Sequence, residues 1–168
     1  MSSYPNLYLL VSGAVTAWRA GEIAGALRPY AERLIIVQTP GSRQIVSPLT
    51  LSRILGCCVV DAYLDQALQP RAPIAPVVFA PCSFNSLNKL AQGCADNLAL
   101  SICAEMIGLR QTVIVAVSLN ERLWAHPAAR ASVATLRGWG AHVIEPSYDG
   151  TGLTLGPISA IIAALPPA

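Results

Sequence analysis

Short apolar runs, each closed by a small polar corner, set the rhythm of this chain. Leu7 to Val11 is unbroken and predicts a first strand. Ser12-Gly13-Ala14 turns it. Val15 to Leu27 then predicts a helix whose apolar face is Val15, Trp18, Ile23 and Leu27, with Gly21 and Gly25 permitting close packing. Leu34 to Val37 predicts a second strand. Thr39-Pro40-Gly41-Ser42 is a second corner, leading into a short helix or extended stretch to about Val46. Signals between Ser47 and Pro73 are short. They are one helical turn at Leu51, Ile54 and Leu55, a strand at Cys57 to Val60, a short helix at Asp61 to Leu68, and a loop at Gln69 to Pro73. Ile74 to Ala80, broken only by Pro76, predicts a strand buried on both faces.

At Pro81 the pattern becomes small and polar through Asn97, and helical spacing resumes at Leu87, Leu90 and Ala91. Leu98 to Ile107 predicts a helix stopped by Gly108, and Thr112 to Val117 a strand. Pro127 to Gly138 predicts a further helix and His142 to Ile144 a last short strand. Ser147 to Pro157 carries Gly150, Gly152 and Gly156 and reads as a mobile loop, after which Pro157 opens a C-terminal helix. The alternation predicts a single α/β domain over residues 1–168. Its expected form is a three-layer, Rossmann-like (flavodoxin-like) parallel sheet with helices on both faces.

Composition changes this picture in one respect. Hydrophobic residues make up 54% and charged ones 12%, and the mean hydropathy is +0.51. That is apolar for a lone soluble domain and predicts burial between subunits. No apolar stretch reaches the about 18 residues of a membrane span, and the N-terminus lacks the basic flank of a signal peptide. The expectation is a cytoplasmic homo-oligomer. A scattered net charge of +2 gives no case for nucleic acid. Five cysteines, an odd number without a C-x-x-C pair, read as reduced; His126 and His142 have no companions at metal-ligand spacing, so no metal is expected.

The candidate chemistry lies in the corners. Three of them, Ser12 to Ala14, Thr39 to Ser42 and Ser83 to Ser86, follow buried strands and should converge at one sheet edge. Small residues there let backbone amides approach a phosphate or a planar ring, and free N–H groups at the following helix start favour an anionic ligand. The dinucleotide glycine fingerprint and the phosphate-loop lysine pattern are both absent, which suits a mononucleotide better.

Pro81-Cys82-Ser83-Phe84-Asn85-Ser86 resembles the P-A-S-A-N-T motif of the homo-oligomeric flavin-containing cysteine decarboxylases. Ala95-Asp96-Asn97-Leu98 resembles the segment that follows it there. Val117-Ser118-Leu119-Asn120-Glu121-Arg122-Leu123-Trp124 resembles the family's P-x-M-N-x-x-M-W motif, and Ser12-Gly13-Ala14-Val15 its first flavin turn. The resemblance runs from Leu7 to about Pro146. It implies a flavodoxin-like fold, trimers assembling into a larger oligomer such as a dodecamer, and FMN, or FAD as in a few members. It also implies that Gly13, Ala14, Val15, Thr39, Ser42, Ser83, Phe84, Asn85 and Ser86 line the flavin site and that Asn120 holds the substrate carboxylate; a helix cap is the structural alternative for Asn120.

Two departures sharpen the reading. The family's catalytic His corresponds to Ala67, and no His occurs from Met1 to Ala125. Asp61, Asp65 and Gln66 lie nearby, and Asp65 is carried forward as the substitute base. The Ser147 to Pro157 loop also lacks the Cys by which pantothenoylcysteine decarboxylases of coenzyme A synthesis complete their reduction. That points to the peptidyl-cysteine decarboxylases of lantibiotic and linaridin synthesis. The expected reaction oxidises the C-terminal cysteine of a precursor peptide at Cβ. The resulting thioaldehyde is the electron sink through which CO2 leaves, giving an enethiol, with the loop closing as a lid. The alternatives are a flavin-binding regulatory member without the base, a pantothenoylcysteine decarboxylase, and, less well matched, a flavin prenyltransferase.

Overall fold

A computed structural model describes residues 3–167. Strands β1 (Tyr4–Val11), β2 (Ala31–Gln38), β3 (Cys57–Val60), β4 (Val77–Cys82), β5 (Val113–Val117) and β6 (His142–Ile144) form one parallel sheet. Their order is β3-β2-β1-β4-β5-β6. Successive side chains leave a strand on opposite faces, so each central strand feeds two cores. Tyr8, Leu10, Val77, Phe79, Val113, Val115 and Val117 face one layer. That layer is built from α3 (Phe84–Ala91), α4 (Leu98–Gly108) and α6 (Pro127–Gly138). Leu7, Leu9, Val11, Val78, Ala80, Ile114 and Ala116 face the other, where α1 (Ala20–Leu27), α2 (Pro48–Ser52) and α7 (Ile158–Ala163) pack. The three-layer α/β architecture read from the sequence is the one observed. No helix among the described residues is long and apolar enough to cross a membrane.

Four local expectations are corrected. Strand β4 begins at Val77, leaving Ile74 63% exposed, and runs on through Pro81 to Cys82. Proline is tolerated because the ladder shifts register between Phe79 and Cys82, and Pro81 serves through its carbonyl, which accepts from the Ser12 N–H. Second, Val15 and Trp18 are 86% and 66% exposed. Val15–Arg19 is a 3-10 turn, so residues three apart eclipse and both side chains face outward. Ala17, Ala20, Ile23, Ala24 and Leu27 supply the buried stripe instead, small enough to seat the helix close to the sheet.

Third, Asp61 to Leu68 contributes only a single turn, Gln66–Leu68. Fourth, Ser147 to Pro157 holds an antiparallel hairpin of β7 (Ser147–Tyr148) and β8 (Leu153–Thr154). Asp149 closes its turn: one carboxylate oxygen accepts from the Thr151 and Gly152 amides and the Thr151 hydroxyl.

Candidate functional site

The sheet order reverses between β1 and β4, and the corners after both strands open at that switch point. Ser12 joins them. Its amide and its hydroxyl both donate to the Pro81 carbonyl, at 3.1 and 2.8 Å, and its oxygen accepts from the Ser83 amide at 2.7 Å. The third corner closes against the first: a Cβ added to Gly13 would lie 2.9 Å from the Gly41 carbonyl carbon. Ser42, fully buried, holds that corner by donating its hydroxyl to the Thr39 carbonyl at 2.9 Å.

Two adjoining clefts result. The larger, about 540 Å³, is lined by Gly13, Ala14, Val15 and Thr16 from the first corner and by Ser83, Phe84 and Asn85 from the start of α3. Ser118, Leu119, Asn120 and Leu123 complete it at the end of β5, and the 149–154 turn and β8 form its far wall. The smaller, about 290 Å³, shares Gly13, Ser83 and Asn85 and adds Thr39, Pro40, Gly41, Ser86, Lys89, Asp96 and Asn97. Ten of the eleven residues expected at the site are accounted for here. Gly13, Ala14, Val15, Ser83, Phe84, Asn85 and Asn120 line the larger cleft; Thr39 and Ser86 line the smaller; Ser42 stands behind Thr39. Asp65 lines neither cleft. Its carboxylate caps the 66–68 turn by accepting from the Ala67 amide at 2.8 Å.

Local sequence explains how the polar groups are aimed. Ser83 caps α3, accepting from the Ser86 amide, and Asn97 caps α4, accepting from the Leu100 amide at 3.1 Å. The N–H groups of the first turn of α3, with Lys89 beside them, make the smaller cleft receptive to an anion; Lys89 pairs with Asp96. Asn120 caps α5 (Glu121–Trp124), its Oδ1 accepting from the Leu123 amide at 3.0 Å. With the oxygen so used, the Nδ2 group is left to donate. The cap alternative and the ligand reading for Asn120 are therefore compatible.

Three contributions were not foreseen. Thr16 and Ser118 share a hydroxyl hydrogen bond of 2.7 Å at the edge of the larger cleft. Gly41 and Lys89 lie in stretches singled out in the sequence, but only the folded contacts give them roles. Ser147 to Pro157 was expected as a mobile lid, and only its hairpin form was hidden by its glycines. Asp149 is the charged side chain in the larger cleft. Its pKa is held below the usual carboxylate range by the Thr151 hydroxyl and then the Thr151 amide.

The donor set fits a flavin mononucleotide. The glycine cradle has no room for a side chain, the larger cleft is apolar with amides and hydroxyls at its edges, and the smaller cleft is polar, with a helix start and the Lys89–Asp96 pair.

Comparison with known proteins follows the same line. A family profile described as Flavoprotein matches residues 1–165. The coenzyme A biosynthesis bifunctional protein CoaBC of Mycobacterium tuberculosis is 30% identical over 142 residues, covering 82% of this chain and 33% of that protein. The chain thus spans about a third of the length of the first curated relatives it matches. A probable phosphopantothenoylcysteine decarboxylase of Streptococcus mutans is 26% identical over 150 residues, covering 84% of this chain and 82% of that protein. Among solved structures, the FMN-dependent cysteine decarboxylase SpaF aligns with a TM-score of 0.80 and 26% identity, over 95% of this chain and 94% of that chain.

Proposed function

The chain belongs to the Flavoprotein family, within the homo-oligomeric flavin-containing cysteine decarboxylases, and we propose that it decarboxylates the C-terminal cysteine of a peptide to an enethiol. The observation that carries the peptide reading is the charge of the larger cleft. Among the described residues its lining holds Asp149 and no Lys or Arg. A phosphopantothenoyl substrate would bring a phosphate dianion to that wall, whereas a peptide tail brings one carboxylate, for which Asn120 offers a neutral amide donor. The hairpin also carries no Cys.

The flavin is FMN, held by Gly13, Ala14 and Val15, by Thr39 and Gly41, and by Ser83, Phe84, Asn85 and Ser86, with Ser42 bracing the second corner. Bound there, it supplies the two-electron oxidation of the substrate cysteine. The protein's own work is positional. Asn120 Nδ2 donates to the departing carboxylate and fixes the cysteine by one end. The hairpin shields the cleft from water. Asp149 stays ionised and hydrogen-bonded at neutral pH, which makes it a weak base. Asp65, tied up as a cap, is not given a proton-transfer role in this reading. The substrate therefore reacts as its thiolate. The self-association expected of the family would cover Val15 and Trp18, two of the large side chains left in water beside the cleft.

A second reading is decarboxylation of phosphopantothenoylcysteine, favoured by the names of the curated relatives. Side-by-side turnover separates the two. The flavin-loaded protein should consume Cys-terminated peptides and leave phosphopantothenoylcysteine untouched; the reverse preference overturns the peptide reading.

A further inference from the structure

Strands β7 and β8 are two residues each, too short a ladder to hold a position unaided. The root of the hairpin is fixed. Leu155 is buried in the core beneath α1 and α7, and Gly156 packs so closely that an added Cβ would meet the Glu145 carbonyl oxygen at 3.1 Å. The tip is not packed: Tyr148, Asp149, Gly150 and Thr151 are exposed.

One side chain from another element reaches across to it. Glu121 Oε1 accepts from the Leu153 amide at 2.8 Å. Tyr148, on the facing strand, has its pKa raised by the same carboxylate. Tyr148 and Leu153 are direct partners in the β7–β8 ladder, so the carboxylate that holds the Leu153 amide acts on the hairpin at one rung. The backbone is close enough that a Cβ at Gly152 would lie 3.3 Å from Glu121 Oε1. Glu121 directly follows Asn120 and opens α5, so the hairpin wall and the amide opposite it are set by neighbouring residues of one turn.

We infer that Glu121 is the latch that holds the 147–154 hairpin as a wall of the larger cleft, in register with Asn120. Entry of a substrate tail and exit of product then require release of this one carboxylate, with Leu155 and Gly156 staying in place as the hinge. The catalytic consequence rests on the decarboxylase reading above; the latch does not. Glu121 is a positioning residue, because it acts through the hairpin.

The test uses the flavin-loaded protein as purified, with Glu121→Ala and Glu121→Gln. A broad-specificity protease is applied under native conditions, and cleavage within residues 149–152 is scored by mass. Glu121→Ala should be cut roughly tenfold faster, because cleavage follows the population of the open hairpin. Glu121→Gln keeps an acceptor oxygen for the Leu153 amide but loses the charge, and should be cut at a rate between those of the parent and the Ala variant. With a Cys-terminated peptide, Glu121→Ala should raise KM roughly tenfold with kcat within about twofold and with flavin content unchanged. Equal cleavage of parent and Ala proteins, Gln cut as fast as Ala, or flavin lost with the Ala change would each overturn the latch. If the parent protein turns over no peptide, the decarboxylase reading fails while the cleavage comparison still decides the latch.

Discussion

Ser12 Oγ lies 2.7 Å from the Ser83 amide nitrogen and accepts its proton, tying the end of β1 to the start of α3. The same hydroxyl donates to the Pro81 carbonyl. One fully buried side chain therefore fixes the two corners between which the sheet reverses direction. Ser12→Ala leaves the Ser83 N–H without that acceptor inside the protein, at a cost of about 1–3 kcal/mol. A lowered urea midpoint and weaker flavin retention on gel filtration are expected.

Gly13→Ala probes the cradle itself. The new Cβ meets Gly41 backbone at 2.9 Å, so one corner must move. The expected cost is about 1–3 kcal/mol, concentrated where the cofactor sits. The protein should fold and emerge colourless, read from the ratio of flavin to protein absorbance.

Asn120 has two jobs that substitution can separate. Asn120→Ala removes both the cap of α5 and the amide. Asn120→Asp keeps an oxygen for the Leu123 amide but faces the substrate carboxylate with a like charge. Flavin should stay bound in both. Asn120→Asp should unfold at the parent temperature yet lose about a hundredfold in kcat/KM, the scale of one charge-assisted hydrogen bond.

Acid should open the hairpin. Glu121 is held below the usual carboxylate range by its own amide, then by Leu153 and Tyr148, with Arg122 adding a smaller pull. Asp149 is lowered first by the Thr151 hydroxyl. A carboxylate depressed in the folded state contributes stability that is complete above its unfolded value, near 4.3 for Glu and 3.9 for Asp. That contribution is lost as pH falls through the folded value. Protection of residues 149–152 from an acid-active protease should hold from neutral pH to about 5 and weaken progressively as pH falls below about 4.

These residues also mark how far the chain could be read. α6 (Pro127–Gly138) and β6 (His142–Ile144) fall where the pattern put them, since proline, glycine and a short apolar run punctuate them locally. β4 was displaced because Pro81 is tolerated through a register shift of the β4–β5 ladder, a tertiary feature that no local pattern encodes. Val15 and Trp18 were misplaced because size, not fit to the sheet, guided the choice; alanines did the packing. Within the site, the corner residues were legible from strand ends and motifs. Ser147 to Pro157 was legible as a lid, but its hairpin form and anchor were not, because they rest on a contact between Glu121 and Leu153 that no periodicity encodes.

The central claim is chemical and has a direct readout: the mass of a Cys-terminated peptide after incubation with the flavin-loaded protein. Loss of CO2 together with two hydrogen atoms, abolished when the terminal Cys is replaced by Ser, is the predicted result. An unchanged mass for every Cys-terminated peptide offered to the flavin-loaded protein would contradict the account.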